Sequence, residues 1–265
     1  MNELKLHAMT CGWMTMPYGF FMAGQPGEIA IPVPSYFIEH PKGTVLFDTG
    51  LEKRLQDQEN VKEALGIFGD FTGITFLPGE DIAERLRSFG QDPEKIDYLI
   101  NSHLHFDHCG GNESITNARL VIQKREWQSA VSEQGIEANH YFTRNYDHGH
   151  DRLEVDGEYD LFGDGSVVLF PSYGHTPGHQ SLKVKVDGKD VILTSDACYL
   201  KAALQQMMLP DAIVVRDPQQ MLDNFNMFKR LQDAGAILIF GHDPEQSAAL
   251  TLGPLRQVIL RALGA

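Results

Sequence analysis

The chain has 265 residues, 42% of them hydrophobic, which is enough apolar material for one large α/β core, so a single domain over 1–265 is expected. Its 22 lysines and arginines face 36 aspartates and glutamates, a formal net charge of -14, and that excess argues against nucleic acid as the main partner. Its three cysteines, Cys11, Cys109 and Cys198, cannot close a disulfide framework and fit a reducing compartment. Residues 1–24 lack the pattern of a signal peptide and no later run is long enough to span a bilayer, so a soluble cytoplasmic protein with no membrane partner is expected.

The chain opens by crowding Met9, Trp13, Met14, Met16, Tyr18, Phe20, Phe21 and Met22 into a segment broken by Pro17 and several glycines. Either a first strand and loop pack here on the core, or the segment forms an adaptable apolar wall for a greasy substrate or a subunit contact. A homodimer is therefore left open. Residues 35–39 and 44–47 have strand character and are joined by the turn His40-Pro41-Lys42-Gly43. Residues 51–78 lose the pattern, with a polar run followed by Phe68, Phe71, Ile74, Phe76 and Leu77 among glycines. Long irregular segments in compact domains are usually functional or mobile, and this one reads as a lid. Asp81 then caps a helix whose Ile82, Leu86 and Phe89 share a face before Gly90 ends it.

Ile96-Asp97-Tyr98-Leu99-Ile100 reads as a short buried strand, and it leads into the densest chemistry in the chain. His103, His105, Asp107 and His108 fall within six positions, followed by Gly110-Gly111-Asn112, which allows a tight turn. In an extended or tightly turned segment His103 and His105, two apart, can point the same way, whereas the adjacent Asp107 and His108 diverge. One pair can hold a first metal ion while the other reaches a second. The alternative is a surface histidine cluster or a pair of core histidines, but His-x-His-x-Asp-His after a strand has the spacing of a metal motif.

Residues 120–122 form another strand and 126–133 a helix. Residues 139–150 are rich in aromatics and carry His140, His148 and His150 with no carboxylate or cysteine at ligand spacing. They read as a solvated or substrate-facing loop rather than another metal site. Strands at 167–170 and 181–186 flank Gly174-His175-Thr176-Pro177-Gly178-His179, where either histidine could be a ligand. A further strand follows at 191–194. Asp217-Pro218 starts a helix through Leu222, Phe225, Phe228 and Leu231, and the last buried strand, 236–240, places His242 at its carboxyl end. A closing helix is expected over 246–263, interrupted near Gly253-Pro254. Cys109 and Cys198 read as small packing residues, with sensitivity to oxidation as the alternative.

His103-x-His105-x-Asp107-His108 resembles the signature of the metallo-β-lactamase superfamily, and further blocks match in order. They are Val45-Leu46-Phe47-Asp48-Thr49-Gly50, the 174–179 block, Ser195-Asp196-Ala197 and Phe240-Gly241-His242-Asp243. The resemblance implies an αββα sandwich of two mixed sheets flanked by helices. It also implies a ligand assignment: His103, His105 and His175 for one ion, Asp107, His108 and His242 for a second, and Asp196 as the bridge. By the same resemblance His175 is the ligand and His179 is structural, while Asp48 orients a ligand by hydrogen bonding. Seven such residues are too many for one ion, so two divalent ions are expected, zinc first, with iron, cobalt or manganese as alternatives. A water between them would ionise near neutral pH, so no serine or cysteine nucleophile is needed.

Asp107 beside His108 sets aside relatives with fewer histidines in the signature, including many β-lactam hydrolases. Ser195-Asp196-Ala197-Cys198-Tyr199 places a tyrosine three residues after the bridging aspartate. Together with the other blocks it is similar to the quorum-quenching N-acyl homoserine lactone lactonases. That likeness implies a small-molecule lactone with an apolar acyl chain, opened by a metal-bridging hydroxide. It casts Tyr199 as the group polarising the lactone carbonyl and Asp107 as the one returning a proton. Phe106, Met22, Phe21, Phe68 and Phe71 are the candidates for the wall along the acyl chain. The alternative is hydrolysis of another small lactone, or of a thioester as in glyoxalase II, whose relatives carry an additional C-terminal domain. A phosphodiesterase would show a basic stripe, and a binding module without turnover would be expected to have lost one of the seven residues.

Overall fold

The computed structural model describes residues 4–250. Its strands are β1 (Lys5–Pro17), β2 (Glu28–His40), β3 (Gly43–Phe47), β4 (Gly73–Thr75), β5 (Tyr98–Ile100), β6 (Arg119–Gln123), β7 (Arg152–Val155), β8 (Tyr159–Asp160), β9 (Val167–Pro171), β10 (Gln180–Val186), β11 (Lys189–Leu193) and β12 (Ile237–Ile239). The α-helices are α1 (Val61–Leu65), α2 (Ile82–Ser88), α3 (Phe106–Cys109), α4 (Lys124–Ala130), α5 (Glu133–Asn139), α6 (Lys201–Gln206), α7 (Pro218–Asp233) and α8 (Pro244–Leu250). Two sheets result, one of seven strands in the order β4-β1-β2-β3-β5-β6-β7 and one of five in the order β12-β11-β10-β9-β8. Both are mixed. The first is antiparallel from β4 to β3 and parallel from β3 to β7, and the second is antiparallel except for the parallel pair β11 and β12.

Strand alternation explains how the layers hold together. Val45, Phe47, Ile100 and Val121 join Leu169, Leu182, Val184 and Leu193 in one buried cluster between the sheets. The intervening Leu46, Leu99, Leu120 and Ile122 turn the other way, onto Ile82 and Leu86 of α2 and Trp127 of α4. Strands buried on both faces read as unbroken apolar runs, as these do. On the far side Ile192 and Leu238 meet Phe225 and Phe228 of α7. The helix starts follow their caps: the Asp81 side chain accepts from Glu84 N at 3.2 Å, and Asp217 accepts from Gln220 N at 3.0 Å.

Several elements depart from the sequence pattern. β2 starts at Glu28 rather than near residue 35. Pro32 and Pro34 mask its beginning, and they are tolerated because β3 pairs only with residues 36–40, so β2 has a neighbour on one side there. Residues 51–78 are not irregular throughout: α1 lies within them, β4 pairs with β1, and Leu51, Leu55, Leu65 and Phe76 are buried. The helix expected over 126–133 is two helices, because Ser132 accepts from Gly135 N at 3.1 Å and caps α5. Phe89 lies beyond the end of α2 and is 44% exposed, against His7. The closing helix is described only as far as Leu250, and its expected continuation to residue 263 lies outside the described residues. Among the described residues no helix is long and apolar enough to cross a membrane.

Candidate metal centre

Five chain segments converge at one end of the sandwich. β3 runs out into Asp48, β5 into His103 and His105 before α3, the β9–β10 connection carries His175, and β11 and β12 run out into Asp196 and His242. Asp48 (φ 59°), directly after β3, and Ser195 (φ 46°), two residues past β11, both take the left-handed conformation, an uncommon backbone state that turns each chain sharply across the strand ends. Gly241 is required by close approach instead: a side chain there would meet the Ser195 carbonyl oxygen at 2.5 Å, so only glycine lets the two chain segments touch.

The side chains fall into two groups that share Asp196. In the first, His103 Nε2, His105 Nδ1 and His175 Nε2 lie 2.9–3.2 Å from one another. Asp196 Oδ2 is 3.6 Å from His103 Nε2 and 3.3 Å from His175 Nε2. In the second, Asp196 Oδ1 is 3.1 Å from His108 Nε2 and 3.0 Å from His242 Nε2, and Asp107 Oδ2 is 3.5 and 3.6 Å from the same two nitrogens. A tetrahedral ion about 2.0–2.2 Å from each donor needs donor separations of about 3.3–3.6 Å. The Asp196 Oδ2 and Asp107 Oδ2 distances meet that range, and the imidazole pairs and Asp196 Oδ1, at 2.9–3.2 Å, would open by a few tenths of an ångström around an ion. The hydrogen-bond inventory fits as well. His108 Nε2 and Asp196 Oδ1 are buried with no hydrogen-bond partner, a cost of about 1–3 kcal/mol for each unless a further atom is bound there.

The other nitrogen of each ring is held by the protein, which fixes the tautomer that leaves a lone pair facing the gap. His105 Nε2 donates to Asn139 O at 2.9 Å, His175 Nδ1 to Val214 O at 2.8 Å and His242 Nδ1 to Pro32 O at 2.8 Å. His108 Nδ1 donates to Asp48 Oδ2 at 2.9 Å. Ser102 Oγ, 3.0 Å from His103 Nδ1, donates to the same carboxylate at 2.8 Å, and Ser102 N holds its other oxygen at 2.7 Å. Asp48 therefore orients ring nitrogens and does not join either group.

Burial drives His103 and His175 well below the ordinary histidine range and His105 down to about 4, so all three rings are neutral near pH 7. Burial opposes charge on His108 and His242 too, but Asp196 and Asp107, with Asp48 at His108, outweigh it and shift both upward. Against the effect of burial, those two rings in turn hold Asp196 well below the usual carboxylate range. The surroundings of Asp196 and Asp107 therefore favour positive charge.

His179 joins neither group. Its Nδ1 lies 2.8 Å from Ser172 Oγ, and its ring stands 5.1 Å from that of His103. Cys109 and Cys198 are buried, and burial pushes both thiols up, away from the reactive thiolate.

An apolar cleft opens onto the two groups. Met14, Met16, Phe20, Phe21, Phe68 and Phe106 form its apolar wall, Asn139, His140 and Arg216 border it, and Tyr199 and His242 are among the residues at its floor. Of the five candidates for an apolar wall, Phe21, Phe68 and Phe106 line the cleft. Met22 is instead 1% exposed in the core, and Phe71 packs edge-on against Phe20 and Phe68 at 5.3 and 5.6 Å. The 139–150 segment is only partly a substrate-facing loop: Asn139 and His140 border the cleft, but Tyr141, Tyr146 and His150 are buried. Among the described residues its histidines form no ligand cluster. Sequence reasoning missed Glu126 and Arg216. Glu126 is buried, and its carboxylate accepts four hydrogen bonds. Burial raises its pKa against those bonds.

The family model of the metallo-beta-lactamase superfamily matches residues 30–242. The N-acyl homoserine lactonase AiiA of Bacillus thuringiensis subsp. kurstaki is 31% identical over 238 residues, covering 86% of this chain and 88% of that protein. The N-acyl homoserine lactonase AttM of Azorhizobium caulinodans is 28% identical over 235 residues, covering 84% and 86%. A solved N-acyl homoserine lactone hydrolase, with the product N-hexanoyl-L-homoserine bound at its catalytic metal center, is similar with a TM-score of 0.81 at 27% identity, covering 94% of this chain and 97% of that one. With a matched ordered motif set, two mixed sheets and a histidine–aspartate cluster suited to two metal ions, the chain belongs to the metallo-beta-lactamase superfamily, in the family of the N-acyl homoserine lactonases.

Proposed function

We propose that this protein opens the lactone ring of N-acyl homoserine lactones and so quenches quorum signals. Two divalent ions, zinc foremost, would be held by His103, His105, His175 and Asp196 on one side and by Asp107, His108, His242 and Asp196 on the other. Asp196 carries this conclusion: its two oxygens face two separate imidazole groups, 3.3 Å from His175 Nε2 and 3.0 Å from His242 Nε2, at the floor of an apolar cleft. Ions bound there would polarise a carbonyl and bring the pKa of a bound water near neutrality.

The chain's own groups supply the rest. Tyr199 Oη lies 3.0 Å from His175 Nδ1 and borders the cleft. Burial, with Asp196 and Asp107 nearby, keeps its pKa well above 10, so it retains its proton and donates a hydrogen bond to the lactone carbonyl as negative charge develops. Water adds to the carbonyl carbon, the ring C–O bond breaks, and a proton reaches the leaving oxygen. Asp107 borders the cleft, within 3.6 Å of His242 Nε2, and is placed to carry that proton. Phe21, Phe68, Phe106, Met14 and Met16 would bury the acyl chain, and N-hexanoyl-L-homoserine is the kind of product found at the metal centre of a solved relative. A neutral substrate also suits a chain of net charge -14. Three buried, unpaired cysteines support a reducing, cytoplasmic setting.

Ring opening releases one acid per turnover. A pH-stat assay across short- and long-chain N-acyl homoserine lactones, with and without a chelator, is expected to show acid release that the chelator abolishes. No turnover on any of them, with another lactone or a thioester cleaved instead, would overturn the proposal.

A further inference from the structure

Glu126 lies in α4, outside both groups of candidate ligands, and is fully buried. Its carboxylate ties together three segments that are remote in sequence. Oε1 accepts from Leu104 N at 3.0 Å and Tyr141 Oη at 2.6 Å, and Oε2 from Thr176 Oγ1 at 2.8 Å and Gly178 N at 2.9 Å. Leu104 sits between His103 and His105, and Thr176 directly follows His175. Tyr141 lies two residues past Asn139, whose carbonyl accepts from His105 Nε2 at 2.9 Å. The approach is close: a side chain at Gly178 would collide with the α4 backbone at Glu126 N. All four donors are neutral groups. For stability alone a well-packed apolar side chain often serves as well as a buried charge. A four-fold acceptor adds a fixed distance and angle between the segments it joins.

We propose that Glu126 is the positioning residue of the first metal site, holding the backbones of His103, His105 and His175 so that their three ring nitrogens, 2.9–3.2 Å apart, converge on one point. This inference rests on the two-ion reading of the cluster. It is selective: the second group is held by other anchors, Asp48 at His108 and Pro32 O at His242, and Glu126 touches none of them. Loss of Glu126 therefore weakens one ion and spares the other.

The test loads the full-length chain with zinc and titrates it with a competing chelator, and records the absorption spectrum of the cobalt-loaded form alongside. Wild type is compared with Glu126→Gln, Thr176→Val and Thr176→Ser. The wild type is expected to hold two ions. In Glu126→Gln one ion is expected to lose about 10- to 100-fold in affinity, the range for removing a group that orients metal ligands, with an altered cobalt spectrum and the other ion unchanged. Thr176→Val is expected to weaken the same ion to a smaller degree, and Thr176→Ser, which keeps the hydroxyl donor, to restore it. A folded Glu126→Gln that holds both ions like the wild type, or loses both equally, overturns the inference. If that variant does not fold, Thr176→Val decides, and wild-type affinity in it overturns the inference. A wild type that binds no metal removes the two-ion reading itself and this inference with it, so the two failures are distinguishable.

Discussion

Tyr199 is 4% exposed, 5.3 Å edge-on from Phe21, with its hydroxyl against His175. Replacing it with phenylalanine keeps the packing and removes the hydroxyl proposed above to donate to the lactone carbonyl. The expected result is a kcat lower by up to about 10²-fold, with KM and metal content little changed. An unchanged kcat would make Tyr199 a packing residue. A second consequence concerns His179, whose pKa burial lowers from 6.5 to about 3. The unfolded chain takes up a proton below 6.5 while the folded one does not. Stability present above pH 6.5 is therefore lost as pH falls toward 3, at about 1.4 kcal/mol per pH unit. In chelator-stripped protein, denaturant unfolding at pH 7 and pH 5 is expected to show His179→Asn losing about 2 kcal/mol less than the wild type over that interval. Parallel losses would contradict it.

Elements differ in how far their sequences betray them. His103, His105, Asp107 and His108 were legible because their placement needs only the end of β5 and one tight turn. His175, Asp196 and His242 came from matched blocks, and the convergence of all seven depends on three strand ends and a strand connection that no local pattern displays. Glu126 was illegible for a related reason: at the start of a helix a glutamate reads as solvated, and its partners come from residues 104, 141, 176 and 178. The cleft border shows the same limit. Arg144 joins the 51–78 segment to the 139–150 segment: its Nη2 donates to Glu52 Oε1 at 2.9 Å and to Ala64 O, and its guanidinium lies 4.5 Å over the Phe142 ring. Both segments reach the cleft, through Phe68 and through Asn139 and His140. Arg144→Ala is expected to cost about 1–3 kcal/mol in chemical denaturation. It is also expected to raise KM for long-chain lactones about three- to tenfold while kcat changes less. Equal effects on short and long chains would show that the segment does not shape the acyl wall.

At the scale of the molecule, the two sheets bring the ends of β3, β5, β11 and β12 together, and the β9–β10 connection adds His175 to them. Two groups of candidate ligand atoms facing one carboxylate would tie stability as well as chemistry to cations bound there. Stripping them is therefore expected to lower the thermal midpoint, and restoring zinc to recover it, whereas a midpoint indifferent to metal would argue against a preorganised centre. The most direct measurement adds zinc in steps to chelator-stripped protein while following N-acyl homoserine lactone ring opening and bound metal together. Activity is predicted to climb until two ions per chain are bound and then level off. Full activity with one ion, or with none, would contradict the shared-carboxylate centre.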